Sequence, residues 1–335
     1  MFNFNIIPGV AIKKILNETT RKTISCVEKA YLAHHDGETI NPDSYFLRFP
    51  ANVKNRIIAL PASIEADINA TGIKWISSFP GNITKGIPRA SAVLILNDSQ
   101  TGYPFACLEA SLISAARTAA SAVLGAYWLN QRQRQVKSVA FIGAGIIARN
   151  ILDMFLADEW MLQDVAVYDQ DSGSAAAFHE YAVAHGATSI CVVDDLSSAL
   201  KADIVVFATN AGAPYVDHAT PFRPGQIVLN ISLRDLAPEL ILDAWNIFDD
   251  VDHCLKANTS PHLAEQLTGS RDFVAGTLAQ LIRGQIYVDA SRPLIFSPFG
   301  MGILDLALGK AVYDEAIRRH TAISIPEFFA ETCRW

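Results

Sequence analysis

Hydrophobic positions along the chain follow two periods, and the change between them divides the sequence into three parts. In residues 1 to about 125, helical spacing over Val10–Leu16 and Ser25–His34 gives way to short strand patterns. The predicted strands are Ser44–Phe49, Arg56–Leu60, Gly72–Ser77, Ala92–Leu96 and Phe105–Glu109. Turn residues at 97–104 are typical of a hairpin between the last two strands. An Ala-rich pattern then predicts a long helix over Leu112–Leu129.

Residues from about 130 to 300 alternate strands with helices, and these strands are nearly continuous in apolar residues. That pattern is typical of parallel strands buried on both faces. The predicted strands are Val139–Ile142, Val165–Tyr168, Ile190–Val193, Ile204–Ala208, Ile227–Ile231 and Ile247–Asp250. A last helix over Met301–His320 follows a break at 297–300. We therefore predict a doubly wound α/β domain, with a final helix that either caps it or returns to the first part.

A glycine-rich turn is the most informative motif of the chain. It follows a predicted strand, opens a predicted helix, and consists of Gly143, Ala144, Gly145, Ile146, Ile147 and Ala148. Glycines allow a tight turn and a close approach to phosphate, so this order is typical of a dinucleotide site. Asp169 ends the next strand, 24 residues after Gly145. Because a carboxylate there accepts hydrogen bonds from both ribose hydroxyls and repels a 2′-phosphate, NAD is predicted rather than NADP.

Composition narrows the class of protein. The 335 residues suggest about two domains, and 50% hydrophobic with 18% charged residues supports a large core. A net charge of −7 without a long basic run argues against a nucleic-acid partner. Five scattered cysteines indicate reduced thiols in the cytoplasm, and no apolar run has membrane-spanning length. The eight histidines form no metal-ligand pattern, so no metal site is expected.

Three cations interrupt otherwise apolar elements. They are Arg48 and Lys74 in predicted strands and Arg117 in the Ala-rich helix. A buried, unpaired charge costs on the order of several kcal/mol, so each cation requires an anion or a path to solvent. No carboxylate lies close in sequence to Arg48 or Lys74, which makes a substrate carboxylate a candidate partner. A structural ion pair, or an edge position that reaches solvent, is the alternative for each.

Acidic residues follow two predicted strands of the central part. Asp235 comes at the carboxyl end of the strand 227–231, where α/β sheets place ligands, and can act there as a general acid/base. A solvated loop pair with Arg234 is the alternative. The residues Asp249, Asp250, Asp252 and His253 are expected to form a solvated loop.

Five segments together resemble the ornithine cyclodeaminase/mu-crystallin family over nearly the full length. They are Gly72–Trp75, Arg89–Asp98, Glu109–Thr118, Ile142–Ala148 and Phe299–Asp305. The resemblance implies a Rossmann domain, residues 126–301, inserted between segments of an α+β substrate-binding and dimerisation domain, residues 1–125 and 302–335. It also implies that the final helix returns to the first part and that the protein is a homodimer.

The resemblance assigns anion-binding roles to individual residues. The family's substrate-carboxylate cations fall on Arg48, Lys74 and Arg117. In addition to these family positions, the positive charges of Arg56 and Arg89 make them expected additional anion contacts.

The family's catalytic aspartate falls on Asp235, and Lys74, as a neutral amine, is a second candidate for activating water. Further contacts to NAD are expected from Thr209, Ser232 and Gly300. Chemistry in the family passes through an imine, which forms by hydride transfer from an amino-acid carbon to NAD⁺.

Within the family, the segments Asn230–Glu239, Asp249–Lys256 and Ser260–Gln266 are similar to the 2,3-diaminopropionate-forming branch. That branch oxidises N-(2-amino-2-carboxyethyl)-L-glutamate to an imine. Water hydrolyses the imine to 2-oxoglutarate and L-2,3-diaminopropionate, which is used to build siderophores and peptide antibiotics. The resemblance implies a pyridoxal-phosphate synthase as the source of this substrate. Its three carboxylates equal the three cations in number, whereas ornithine has one carboxylate.

Three alternative functions stay open at this point. A cyclodeaminase would close ornithine or lysine onto its own imine and regenerate NAD⁺ within one turnover. A related imine reductase or amino-acid dehydrogenase would act on a smaller substrate. A non-catalytic NAD-binding protein is a third class, as the crystallin members of the family suggest.

Overall fold

The computed structural model describes residues 3–65 and 67–334. The chain divides into two compact units, residues 1–117 with 301–335 and residues 118–300. The predicted boundary at 125/126 and this division at 117/118 both fall inside the helix Ser111–Leu129.

Helices and strands are numbered here in chain order. The N-terminal part contains β1 (Phe4–Ile7), α1 (Gly9–Glu18), α2 (Thr20–His35), β2 (Thr39–Ile40), β3 (Tyr45–Arg48), β4 (Arg56–Ile64), β5 (Ala70–Ser78), β6 (Ala90–Asn97), β7 (Pro104–Glu109) and α3 (Ser111–Leu129), with a 3₁₀ helix at Pro80–Lys85. The central part contains β8 (Gln135–Ile142), α4 (Ile146–Ala157), β9 (Met161–Tyr168), α5 (Ser172–Ala184), β10 (Ile190–Val192), α6 (Leu196–Ala199), β11 (Ile204–Phe207), β12 (Ile227–Asn230), α7 (Pro238–Leu242), β13 (Trp245–Phe248), α8 (Val251–Cys254), α9 (Ser260–Thr268), β14 (Val274–Thr277), α10 (Leu278–Ile282) and β15 (Leu294–Ser297). The C-terminal part contains α11 (Gly302–Arg318) and β16 (Ile323–Ile325).

The first unit is built on a mostly antiparallel sheet. Its strand order is β16-β1-β7-β6-β5-β4-β2, and β3 also pairs with β4. The predicted hairpin at residues 97–104 is confirmed, because β6 and β7 are antiparallel neighbours. Helix α11 packs against α2, β4 and β5. The edge strand β16 and its neighbour β1 were not predicted, since three or four residues are too few to display a period.

The second unit is built on a parallel sheet with the order β10-β9-β8-β11-β12-β15-β13-β14. The chain winds outward in one direction from β8 to β10 and in the other from β11 onward, so β8 and β11 flank a topological switch point. Strands β11, β12, β13 and β15 are buried along their whole length. The predicted doubly wound fold is confirmed. Strands β14 and β15 were not predicted.

The described residues contain neither a membrane-spanning helix nor a cluster of metal-ligating side chains. Among residues 3–65 and 67–334, no helix combines the length and apolar character needed to span a membrane. In the same residues, no group of three or more His, Cys, Asp or Glu side chains is placed to hold a metal ion.

Candidate functional site

The predicted glycine turn joins β8 to α4 at the switch point of the second sheet. Gly143 has φ +95°, a left-handed conformation that glycine adopts without strain, and a Cβ there would lie 2.6 Å from the carbonyl oxygen of Ala208. Within residues 3–65 and 67–334, a Cβ at Gly145 would meet no atom within 4 Å, and no side chain caps the helix that begins at Ile146. An open surface therefore adjoins the uncapped first turn of α4. This arrangement fits a pyrophosphate, which backbone N–H groups at a helix N-terminus bind.

Asp169 lies immediately after β9, beside the glycine turn. Its Oδ2 accepts a hydrogen bond from the backbone N–H of Ala144 at 2.7 Å, and its Oδ1 accepts one from the N–H of Asp171 at 2.9 Å. These bonds fix the carboxylate next to the turn. That position suits the predicted contact with the ribose hydroxyls of NAD.

Asp235 is fully buried among hydroxyl groups. Its Oδ1 accepts hydrogen bonds from Thr209 Oγ1 at 2.5 Å and from the Tyr215 hydroxyl at 3.0 Å, and its Oδ2 accepts one from Ser232 Oγ. Burial, together with the Asp235 carboxylate, raises the pKa of Tyr215 well above its usual value, so this hydroxyl stays a donor. Asp235 forms no ion pair with any described residue. The alternative of a solvated pair with Arg234 is therefore wrong.

Backbone geometry holds Asp235 at the carboxyl edge of the second sheet. Leu233 has φ +70°, which costs a residue other than glycine about 1 kcal/mol or more. The backbone N–H of Ser260 donates to the Leu233 carbonyl at 2.7 Å and stabilises this turn. Thr209 follows β11, and its backbone nitrogen lies 3.2 Å from the Cβ position of Gly143. The glycine turn and the Asp235 hydroxyl cluster are therefore neighbours at the switch point.

Gly300 was predicted to contact the cofactor, and its N–H donates to Asp249 Oδ2 at 2.7 Å. The N–H groups of Phe299 and Asp250 donate to Asp249 Oδ1 at 2.9 and 2.8 Å. Asp249 is thus buried rather than part of a solvated loop, and burial raises the pKa of its carboxyl above the usual value. The prediction was wrong for this residue, because the backbone donors of residues 299–300 come from a distant part of the chain. Asp252, in contrast, forms an exposed ion pair with Arg271.

Lys74 and Arg117 share a buried carboxylate in the first unit. Lys74 Nζ lies 2.5 Å from Asp305 Oδ2, and Arg117 Nε lies 3.3 Å from Asp305 Oδ1. Lys74 also donates to Ser114 Oγ at 3.2 Å. The alternative of a structural ion pair is therefore confirmed for Lys74. Its partner lies 231 residues further along the chain, on α11.

The cluster of Lys74, Arg117 and Asp305 contains two cations and one anion. Burial lowers the pKa of Lys74 to about 8, although Asp305 acts in the opposite sense. Burial alone would raise the pKa of Asp305, but Arg117 and Lys74 together lower it below its usual value. With all three groups charged, one positive charge is uncompensated. That excess suits one additional carboxylate.

The other three predicted cations lie together at one end of the same sheet. Arg48 and Arg56 are directly paired positions on β3 and β4, and Arg56 is paired with Ser78 on β5. Arg89 donates to Ser78 Oγ at 2.6 Å. The sequence thus identified the cations of both groups but not their spatial division into two sets.

Asp305 is a site residue that the sequence interpretation missed. It belongs to a quoted family segment, yet it was given no role. The signal was present, because Asp305 is an acid among Ile303, Leu304 and Leu306 on a helix that is apolar there. The criterion that singled out the three cations would also have selected Asp305.

Comparison with known proteins identifies the class. The model of the ornithine cyclodeaminase/mu-crystallin family matches residues 10–320. The chain is 30% identical over 312 residues to N-((2S)-2-amino-2-carboxyethyl)-L-glutamate dehydrogenase of Staphylococcus aureus, which covers 90% of this chain and 92% of that protein. It is 26% identical to a Delta(1)-pyrroline-2-carboxylate reductase of Bacillus cereus, over 84% of this chain and 87% of the reductase.

A solved structure extends the likeness to three dimensions. An archaeal alanine dehydrogenase dimer with bound NAD has a TM-score of 0.86 and 25% sequence identity, and covers 98% of this chain and 100% of that one. This chain therefore belongs to the ornithine cyclodeaminase/mu-crystallin family. The predicted family and fold are confirmed. Relatives that are dehydrogenases and reductases agree with the predicted enzyme class and with the predicted NAD cofactor.

Proposed function

We propose that this protein is an NAD-dependent dehydrogenase that oxidises N-(2-amino-2-carboxyethyl)-L-glutamate to an imine, which water opens to 2-oxoglutarate and L-2,3-diaminopropionate. The observation that carries the proposal is the likeness to the Staphylococcus aureus dehydrogenase over nearly the full length of both chains. The cations Lys74, Arg117 and Arg48 of the first unit support the proposal, because this substrate carries three carboxylates.

In the first unit, Lys74 and Arg117 bind the carboxylate next to the carbon that is oxidised. Asp305 holds both cations in place, and the excess positive charge of the cluster favours a bound anion. Arg48 supplies a third cation for the same substrate. Fixing the carboxylates orients the reacting C–H bond, and orientation of this kind contributes several kcal/mol to lowering a barrier.

In the second unit, Asp235 accepts protons. It takes one from the substrate nitrogen as the C–H bond is broken and returns it to the imine nitrogen. It then takes one from the attacking water and gives it to the departing amine nitrogen, and the one net proton of the oxidation passes to solvent. Thr209, Tyr215 and Ser232 fix the orientation of the carboxylate. No cation pairs with it among the described residues.

The glycine turn binds the pyrophosphate of NAD, and Asp169 binds the ribose hydroxyls. When bound, NAD⁺ supplies the hydride acceptor. Asp169→Ser is expected to weaken the preference for NAD⁺ over NADP⁺, because the 2′-phosphate no longer meets a carboxylate. Comparing kcat/KM for the two cofactors measures this change.

The proposal is tested by NADH absorbance after mixing the protein, NAD⁺ and N-(2-amino-2-carboxyethyl)-L-glutamate, with L-ornithine in a parallel sample. We expect stoichiometric NADH and 2-oxoglutarate from the first substrate. No net NADH from either, with ammonia and proline formed from ornithine, would instead assign the protein to the cyclodeaminases.

The likeness to the Bacillus cereus reductase supports a second candidate, an imine reductase with a smaller substrate. That activity would consume NADH on addition of Delta(1)-pyrroline-2-carboxylate. Measuring the decrease in NADH absorbance after this imine is added distinguishes the reductase from the dehydrogenase.

The protein is proposed to be a homodimer through the open face of the first sheet. A row of directly paired positions crosses four strands of this sheet and consists of Tyr45, Ala59, Trp75 and Val93. The side chains of Tyr45, Trp75 and Val93 are exposed, that of Tyr45 at 70%. An apolar row of this kind is typical of a protein interface, and the related alanine dehydrogenase is a dimer. Trp75→Glu is expected to produce monomers in light-scattering measurements. The matched change is Val10→Glu. The Val10 side chain is an exposed apolar group on α1, and its replacement should leave the dimer intact.

The chemistry of the substrate places the enzyme in a reaction sequence. A pyridoxal-phosphate synthase that joins O-phosphoserine to glutamate would supply the substrate, and siderophore or peptide-antibiotic assembly would consume the diaminopropionate. The free cysteines are in line with a cytoplasmic location.

A further inference from the structure

Three arginines of the first unit form a positive cluster without a carboxylate. Arg48, Arg56 and Arg89 form no ion pair with any described residue. Arg48 lies 4.9 Å from the centre of the Phe46 ring, and Arg89 donates to the neutral Ser78 hydroxyl. The Nε atom of Arg56 is buried and has no hydrogen-bond partner among the described residues. A buried, unpaired guanidinium donor is costly to leave unsatisfied, and it is met by an anion when one binds.

The electrostatics of the cluster agree with this geometry. Burial and the neighbouring Arg48 lower the pKa of Arg56 from its usual value. Burial and the neighbouring Arg56 lower the pKa of Arg89. Repulsion between neighbouring positive charges therefore destabilises the charged forms of both guanidinium groups, and a bound anion would offset that repulsion.

The cluster lies on the same face of the sheet as Lys74. Ser78 and Lys74 are four residues apart on β5, so their side chains point to the same side, about 13 Å apart along the strand. Directly paired positions of antiparallel strands also share a face, which places Arg48 and Arg56 on that side with Ser78. Long arginine side chains shorten the gap between the two cationic groups.

The geometry points to a second anion subsite, formed by Arg56 and Arg89, that binds a carboxylate remote from the one held at Lys74 and Arg117 and so selects polycarboxylate substrates. This assignment rests on the proposed function, and it names the feature that sets the substrate apart. Alanine, proline and ornithine each carry a single carboxylate, so none of them can occupy both groups.

The test compares the tricarboxylate substrate with two analogues. In one the γ-carboxylate of the glutamate half is a carboxamide, and in the other the carboxylate of the diaminopropionate half is a carboxamide. Values of kcat/KM are measured for the wild type, Arg56→Gln, Arg89→Gln and Arg89→Lys. Lys85→Gln removes an exposed cation from the 3₁₀ helix between β5 and β6 and serves as the matched control. Unfolding midpoints and NADH binding establish that each variant is folded.

We expect the wild type to prefer the tricarboxylate over one of the amides by roughly 10- to 100-fold, the range for hydrogen bonds to charged groups. Arg56→Gln and Arg89→Gln should abolish that preference, because each lowers kcat/KM for the tricarboxylate and leaves kcat/KM for the amide nearly unchanged. Arg89→Lys should retain part of it, because a lysine keeps the charge without the planar fork. Lys85→Gln should retain all of it.

A preference that persists in both glutamine variants would overturn the subsite and leave the proposed function standing. If the wild type oxidises none of the three compounds, the proposed function fails, and calorimetric titration with glutarate and butyrate decides about the subsite. Glutarate that binds more tightly than butyrate to the wild type, but not to either glutamine variant, would support it. Equal binding, or no binding, would overturn it.

Discussion

Two buried aspartates, one in each unit, have opposite surroundings. Asp305 lies between two cations, Lys74 and Arg117. Asp235 accepts hydrogen bonds from three hydroxyl groups and forms no ion pair with a described residue. Both are completely buried, so burial alone does not distinguish them.

The difference indicates what each carboxylate can do. Cations hold Asp305 in its charged form, and a carboxylate with a lowered pKa is a poor proton acceptor. It is suited to positioning Lys74 and Arg117. Hydroxyl donors orient Asp235 without neutralising it, which is the surrounding that a general base needs. Four experiments test this contrast, in order of decreasing expected effect.

Asp235→Asn is expected to lower kcat by about 10³-fold or more, because general-base catalysis contributes roughly 10²- to 10⁴-fold and an amide cannot accept the proton. NADH binding, measured by fluorescence titration, should stay near the wild-type value. Asp153→Asn is the matched control, since Asp153 also accepts a tyrosine hydroxyl, that of Tyr181, at 2.6 Å. Unimpaired turnover in Asp235→Asn would remove this residue from the mechanism.

Asp305→Asn is expected to lower the free energy of unfolding by roughly 3–5 kcal/mol, the cost of leaving buried charges unpaired. Lys74→Met should cost less, because Arg117 still pairs with Asp305. Urea denaturation monitored by circular dichroism measures both. If Lys74→Met lowered the free energy of unfolding as much as Asp305→Asn or more, Asp305 would not be the residue on which the stability of the cluster chiefly depends.

The pH dependence of kcat/KM distinguishes two roles for Lys74. Its pKa is about 8, so the side chain is mostly protonated below pH 8 and mostly neutral above it. If the ammonium binds a carboxylate, as proposed, kcat/KM falls as the pH rises through about 8. If the neutral amine activates water, kcat/KM rises over the same range. In Asp305→Asn a falling limb should move to lower pH, because Asp305 is the group that raises the pKa of Lys74.

Tyr215→Phe is expected to have the smallest effect, a loss of about 5- to 10-fold in kcat, since one hydrogen bond to the Asp235 carboxylate is removed and two remain. Steady-state kinetics at saturating cofactor measures it. A loss as large as that of Asp235→Asn would mean that Tyr215 itself takes part in proton transfer. No loss would mean that Thr209 and Ser232 suffice to orient the carboxylate.

Local patterns were sufficient to predict the parallel sheet and the glycine turn. Apolar runs of strands buried on both faces are continuous, and the order of strand, glycines and helix is fixed by the needs of a phosphate. The same patterns missed the short edge strands of the first sheet. The predicted boundary at 125/126 also lies inside α3 but not at the division at 117/118, because an uninterrupted helix carries no sign of where its packing partners change.

The charged residues show where sequence information ends. An isolated cation in an apolar strand indicates that an anion is required, as it did for Lys74, but it does not say which anion. Asp305 is brought to Lys74 by the packing of α11 on β5, a contact between segments 231 residues apart. For Arg56 and Arg89 the fold supplies no carboxylate among the described residues.

By itself the sequence determined the family, the doubly wound domain, and the residue types that hold a dinucleotide and anionic groups. These properties depend on period, turn chemistry and side-chain charge, which are local. Only the tertiary structure decided which buried charges are compensated and which are not. Compensation depends on distances between residues far apart in the chain, because Coulomb interactions in a protein interior act through space and not along the sequence.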